Sequence, residues 1–188
     1  MAGLSFRAFD PERDTALMFE LYRDPYEQAL FAQRVPITTL VEFSEWLDGN
    51  MRGNYHEFRV IADGETGELA GFTFAYDYHP FDLHCKVCVY MRPEWRGSGA
   101  AGLMGARFMG DLFSAYPLCK IYALVYGYNE ESLRSNLAAG FVEEGVMREY
   151  RYLGGTWHDC HILALTKQAY EEGLGKLLGL QSRGGEAQ

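Results

Sequence analysis

Met91-Arg92-Pro93-Glu94-Trp95-Arg96-Gly97-Ser98-Gly99-Ala100-Ala101 joins a strand-like run to a helix-like run through two glycines. Glycine enters left-handed backbone conformations that other residues avoid. Successive N–H groups from Arg96 to Ala101 can therefore converge on an anion at the positive end of the following helix. The stretch predicts an α/β architecture built around a phosphorylated ligand.

Read literally, Gly97-Ser98-Gly99-Ala100-Ala101-Gly102 satisfies the dinucleotide fingerprint G-x-G-x-x-G. That fingerprint also wants a strand running straight into the first glycine and an acidic residue about 20 residues further on. Here Pro93-Glu94-Trp95-Arg96 intervenes, and the next strand-like run, Lys120 to Tyr126, ends in Gly127-Tyr128 without a carboxylate. The dinucleotide reading is the weaker one.

Arg96-Gly97-Ser98-Gly99-Ala100-Ala101, preceded by Met91-Arg92-Pro93, fits the signature (Arg/Gln)-x-x-Gly-x-(Gly/Ala) after a strand ending hydrophobic-x-Pro. Downstream, Asn129-Glu130-Glu131-Ser132-Leu133-Arg134 leads to Leu137-Ala138-Ala139-Gly140-Phe141. A final hairpin runs from Arg148-Glu149-Tyr150 through Leu153-Gly154-Gly155-Thr156 to Trp157-His158-Asp159. On these motifs the chain, over roughly Leu4 to Thr166, resembles the GCN5-related N-acetyltransferase superfamily, and within it the ribosomal-protein-alanine acetyltransferase branch. The resemblance implies a mixed α/β (α+β) fold, with a mostly antiparallel central sheet of about seven strands and helices on both faces. It also implies that the strands matching Leu83 to Met91 and Lys120 to Tyr126 splay apart to admit the pantetheine arm of acetyl-CoA.

Composition agrees with an enzyme of this kind. The 188 residues suit one domain with its own core, read as residues 1–166, with 167–188 as a short helix and a tail frayed at Ser182-Arg183-Gly184-Gly185. No run approaches the roughly 20 apolar residues of a membrane span, and no basic-then-apolar leader is seen, so a cytoplasmic protein without a membrane partner is expected. The net charge of -9 disfavours nucleic acid and mildly favours cationic acceptors. A homodimer is compatible with the sequence.

The order of elements follows from periodicity and punctuation. Leu4 to Phe9 alternates as a strand, and Asp10-Pro11 caps a helix through about Arg23. Asp24 to Pro36 reads as irregular, and Ile37-Thr38-Thr39-Leu40 opens a helix through about Met51. Strands follow at Phe58 to Ala62, Leu69 to Tyr78 and Leu83 to Met91. Apolar residues from Leu103 to Phe113 keep helical spacing until Tyr116-Pro117. Strand Lys120 to Tyr126, a helix from Asn129 to Ala139 and two long strands joined at Gly154-Gly155 complete the fold.

The resemblance assigns a cofactor site. Backbone N–H groups of Arg96, Gly97, Ser98, Gly99, Ala100 and Ala101 would cradle the pyrophosphate, with the Arg96 and Arg92 side chains adding charge. The backbone of Val89, Tyr90 and Met91 would pair with the pantetheine amides, and Asn129 would bond the same arm. The acceptor amine must shed a proton before it attacks, and His84, whose reference pKa of about 6.5 lies nearest neutrality, is the first candidate base. The departing thiolate wants a proton. The tyrosine that many superfamily members place four residues before the Gly-Phe glycine is replaced by Asn136, so Ser132 is the expected donor, with Tyr128 and Tyr126 as alternatives. Tyr26, Phe31, Tyr76, Tyr78 and Trp157 suggest an aromatic acceptor pocket, to which Glu27, Asp77 and Asp82 could add negative charge.

No metal is expected. Cys85 and Cys88 form a C-x-x-C pair beside His84, but residues three apart on a strand point to opposite faces, and the same alternation separates His158 from His161. The resulting expectation is transfer of an acetyl or other acyl group from acyl-CoA to a small-molecule amine in a ternary complex. A protein N-terminus as acceptor and a non-catalytic acyl-CoA-binding module remain open.

Overall fold

The computed structural model describes residues 3–31 and 35–179. The chain packs as two compact units. One contains the chain up to Asp77 together with residues 88–95, the other residues 78–87 together with the chain from Arg96 onward. Seven strands form one sheet in the order β1-β2-β3-β4-β5-β7-β6, with β1–β2, β2–β3, β5–β7 and β6–β7 antiparallel and β4–β5 parallel.

In the first unit, β1 (Leu4–Arg7) pairs with β2 (Tyr55–Asp63), which pairs in turn with β3 (Leu69–His79) in the register Val60↔Phe72. Leu69 to Ala75 are buried without interruption, so both faces of this strand are covered. The covering helices on this side start where capping chemistry dictates. Asp10 accepts from Glu12 N and Pro11 supplies the first turn of α1 (Pro11–Arg23). Asp24-Pro25 repeats the device for α2 (Pro25–Leu30), with the Asp24 carboxylate accepting from Tyr26 N at 2.8 Å and Glu27 N at 3.0 Å. The segment expected to be irregular is thus partly helical. Its residues 32–34 lie outside the described residues. A capping box between Thr39 and Glu42 opens α3 (Leu40–Gly53).

The unit's core is aromatic. Tyr22, Phe31, Phe43 and Phe72 meet at centroid distances of 5.4 to 5.6 Å, and Tyr90 stacks on Phe72 at 4.8 Å. Arg7 ties β1 to α1 through a two-pronged pair with the buried Asp14, at 2.6 and 2.7 Å. Gly71 on β3 has no room for a side chain, since a Cβ there would stand 2.2 Å from Tyr90 O on β4 (His84–Met91).

In the second unit, α4 (Ala100–Ala115) contributes Met104, Phe108 and Leu112 to the core, together with Ile121 of β5 (Lys120–Tyr126) and Leu163 and Leu165 of β7 (Thr156–Thr166). β5 and β7 pair from Lys120↔Thr166 to Tyr126↔Cys160. Between β5 and β7 in sequence lie α5 (Glu130–Ala138) and the edge strand β6 (Val142–Leu153). The β6–β7 turn uses Gly154 at φ 59° and Gly155 at φ 83°, as the paired glycines predict. The parallel ladder of β4 and β5 covers His84↔Lys120, Cys85↔Ile121 and Lys86↔Tyr122 and then ends. A last helix, α6 (Lys167–Tyr170), continues as one π-helical turn (Glu171–Gly175) and is anchored to α4 by the Tyr170 hydroxyl, which donates to Ala106 O at 3.0 Å. Ser182-Arg183-Gly184-Gly185, expected to be frayed, lie outside the described residues. Among those residues no helix is long and apolar enough to cross a membrane.

Candidate active site

The turn before α4 has the backbone that the sequence asks for. Gly97 and Gly99 take φ of 74° and 79°, and a Cβ built on either would meet nothing within 4 Å. The glycines are therefore needed for conformation rather than for packing, and the space beside them is open. Among the described α-helices, α4 alone begins without a side-chain cap, whereas α1, α2, α3, α5 and α6 are capped by Asp10, Asp24, Thr39, Asn129 and Thr166. The nearest substitute is Ser98 Oγ, 3.4 Å from Ala100 N, and the first turn carries no acidic residue. Uncapped N–H groups at a positive helix end make an anion site. Arg96 stands half-buried in the same turn.

Arg92, which belongs to the first unit, is otherwise engaged. Its Nη1 donates to Leu69 O at 2.9 Å and its Nη2 pairs with Glu94 at 2.5 Å. Its charge is largely consumed in fixing the end of β4. In the same unit the backbone of Val89, Tyr90 and Met91 lies beyond the part of β4 that pairs with β5.

The start of α5 gathers the expected proton donor and its neighbours. Asn129 Oδ1 accepts from Ser132 N at 3.2 Å, which caps the helix. Asn136 Nδ2 donates both to Ser132 O at 2.8 Å and to Ser132 Oγ at 3.2 Å. The Ser132 oxygen is thus an acceptor toward Asn136, and its own proton is left to give elsewhere.

Just upstream, Tyr128 stacks on Tyr126 at 5.5 Å and meets His158 edge-on at 5.0 Å. Arg151 lies over the Tyr126 ring at 4.3 Å and donates to its hydroxyl at 2.8 Å. Burial pushes the Tyr126 phenol up to about 12 despite the opposing Arg151 charge, so it stays protonated at neutral pH. Arg151 was not singled out in the sequence, where only its place on a long strand was legible.

The expected acceptor residues fare differently. Phe31 is a core residue, packed between Tyr22, Phe72 and Tyr90. Its aromatic character serves the fold. Tyr26 on α2 is 68% exposed and Trp157 at the hairpin is 56% exposed beside Tyr152, so both can meet a ligand. Tyr76 packs on Phe74, and Tyr78 packs on Tyr116. The buried Glu27 carboxylate accepts from the Tyr90 hydroxyl at 2.6 Å, which links α2 to β4.

His84 stands at the closed end of the β4–β5 ladder, its ring stacked on His79 at 4.7 Å and edge-on to Tyr122 at 5.5 Å. Its Nδ1 is buried without a hydrogen-bond partner among the described residues. Burial raises the thiols of Cys85 and Cys88 to about 12, so neither is a ready nucleophile. Asp159 accepts from Glu149 N at 3.0 Å and from Arg148 at 2.5 Å, which holds the irregular β6–β7 pairing at Glu149, a non-glycine residue with φ 49°.

No protein-family model matches the chain. It is 37% identical over 117 residues to an uncharacterized N-acetyltransferase, YoaA, of Bacillus subtilis, a match covering 60% of this chain and 66% of the relative, just under two thirds of its length. It is 26% identical over 162 residues to a phosphinothricin N-acetyltransferase of Streptomyces coelicolor, covering 79% of this chain and 91% of the relative. Among solved structures, the spermidine N-acetyltransferase of Vibrio cholerae in complex with CoA and spermine superposes with a TM-score of 0.78 at 21% identity, over 89% of this chain and 97% of that one. At that identity the likeness speaks for the fold. Sequence relatives that carry the N-acetyltransferase name and a fold shared with solved N-acetyltransferases together support one assignment: the chain is an acyltransferase with the fold of those solved enzymes.

Proposed function

We propose that the protein transfers an acyl group, acetyl in the first place, from acyl-CoA to the amine of a small molecule. The observation that carries this reading is the uncapped start of α4 behind Gly97 and Gly99, an anion cradle suited to a pyrophosphate. Bound acyl-CoA supplies the activated acyl group. N–H groups of Arg96, Gly97, Ser98, Gly99, Ala100 and Ala101 hold its phosphates, with Arg96 adding charge. The backbone of Val89, Tyr90 and Met91 pairs with the pantetheine amides, to which Asn129 adds its side-chain amide.

The acceptor nitrogen attacks the thioester carbon, the C–S bond breaks, and the sulfur leaves with the electron pair. Ser132 donates the proton that neutralises the thiolate, since its oxygen already accepts from Asn136, and Tyr128 is the nearby alternative donor. The proton released by the amine passes to His84, the candidate base, or to water; the His84 ring lies beside those of His79 and Tyr122. Tyr26 in the first unit and Trp157 in the second each offer exposed aromatic surface, and Tyr76 and Tyr78 remain candidates for contact with an acceptor.

A small amine is favoured because the phosphinothricin relative and the neighbour solved with spermine are both named for small acceptors. A second reading, acetylation of a protein N-terminus, rests on the Asn129-x-x-Ser132 motif of the ribosomal-protein branch. An acceptor screen that follows release of the free CoA thiol separates the two. Turnover with polyamines or amino acids, and none with peptides bearing a free N-terminus, is the expected result. The reverse pattern contradicts the small-amine assignment.

A further inference from the structure

We propose that His79, Asp82 and His84 form a binding site for a borderline divalent cation, zinc in the first place. This inference does not depend on the acyl-transfer reading. His79 ends β3, His84 opens β4 and Asp82 lies on the turn between them, and one donor atom from each falls within 4.8 Å of the others. His79 Nδ1 is 3.4 Å from Asp82 Oδ2, and the two imidazole rings stack at 4.7 Å with 28° between their planes.

Strand alternation, which separates the ligand types at Cys85/Cys88 and His158/His161, does not act here because the chain is turning. Leu83 N donates to His79 O at 2.8 Å, and Leu83 takes φ 55°, a left-handed conformation that a bulky residue rarely adopts. That turn brings a carboxylate and two imidazoles onto one corner.

The buried Nδ1 of His84 is the second observation. It has no hydrogen-bond partner among the described residues. A buried polar atom left this way costs stability and calls for an explanation. A cation ligated by that nitrogen would supply its missing partner.

The donor set selects the ion. Two imidazoles and one carboxylate, with a fourth position open to water, suit zinc, whereas magnesium and calcium prefer oxygen-only shells. Tetrahedral ligands at Zn–N distances of about 2.0–2.1 Å stand roughly 3.3 Å apart, so no pair of donors must close by more than about 1.5 Å. The His79 and Asp82 side chains, 56% and 69% exposed, are able to rotate by that amount. The neighbouring cation does not oppose binding strongly, since Lys120 is paired with Glu144 at 2.7 Å.

The test is a calorimetric titration of the metal-free full-length protein with zinc, with magnesium as the control ion. One equivalent of zinc bound at micromolar affinity and no heat from magnesium is expected, with affinity falling at least tenfold in both His79→Ala and Asp82→Asn. Both substitutions are at exposed side chains, and an unchanged far-UV spectrum verifies the fold. Absence of zinc binding to the parent protein, or undiminished binding in the two variants, overturns the proposal.

Discussion

Gly99 is the residue on which the cofactor site turns. A Cβ at Gly99 meets nothing, so Gly99→Ala acts through its left-handed backbone, at a cost of about 1–2 kcal/mol, and through a methyl placed where phosphate would approach. The expected outcome is a folded protein whose affinity for acetyl-CoA, measured by calorimetry, falls at least tenfold. Ser132→Ala is expected to leave that affinity unchanged and to lower kcat by about 100-fold, the lower end of what a positioned acid contributes. Pre-steady-state release of the CoA thiol measures this directly. The left-handed backbone of the two glycines was legible in the sequence because they belong to a motif with fixed spacing. The part played by Asn136, which turns the Ser132 hydroxyl into an acceptor on one side, was not legible. It depends on a contact across one helical turn that any amide there could make or miss. The cluster at His79, Asp82 and His84 was hidden for another reason, since alternation arguments fail in a turn whose backbone enters a left-handed conformation at Leu83.

Elements were more legible than contacts. Asp10-Pro11 announced α1, whereas the segment opened by the same dipeptide at Asp24-Pro25 read as irregular, because the six residues of α2 are too few for helical periodicity to show. Residues 167–175 of the tail are helical. Its attachment through the Tyr170 hydroxyl to Ala106 depends on a separation of 64 residues that no local pattern encodes. Strand pairing supplies the sharpest test at this scale. In Gly71→Ala the new Cβ would stand 2.2 Å from Tyr90 O and 3.1 Å from Met91 Cα, both backbone atoms, so β3 must shift from the end of β4. Such overpacking costs about 1–3 kcal/mol, and urea denaturation should show a lowered midpoint. Because Tyr90 and Met91 are also the proposed pantetheine edge, acetyl-CoA binding is expected to weaken in the same variant.

For the whole molecule, net charge and acid sensitivity follow from its carboxylates. Backbone N–H groups of Thr38 and Thr39 hold Glu42 below its ordinary value, and Thr66 N does the same for Asp63. Lys120 lowers Glu144, while Glu149 N and then Arg148 lower Asp159. Each of these groups binds its proton more weakly when folded. Their stabilisation is therefore complete above the unfolded carboxylate range of about 4 to 4.5 and is lost as pH falls through the depressed folded values. The thermal midpoint should be level from about pH 5 to 7 and decline below about pH 4, as differential scanning calorimetry can establish. A midpoint that rises on acidification would contradict these assignments. The most direct measurement on the molecule as a whole is a calorimetric titration with acetyl-CoA, with NADH as the control ligand. One-to-one binding of acetyl-CoA at micromolar affinity, with no heat from NADH, is the expected result. Binding of NADH without binding of acetyl-CoA would mean that the turn at Gly97 and Gly99 is a dinucleotide site, and the acyl-transfer mechanism would fall with it.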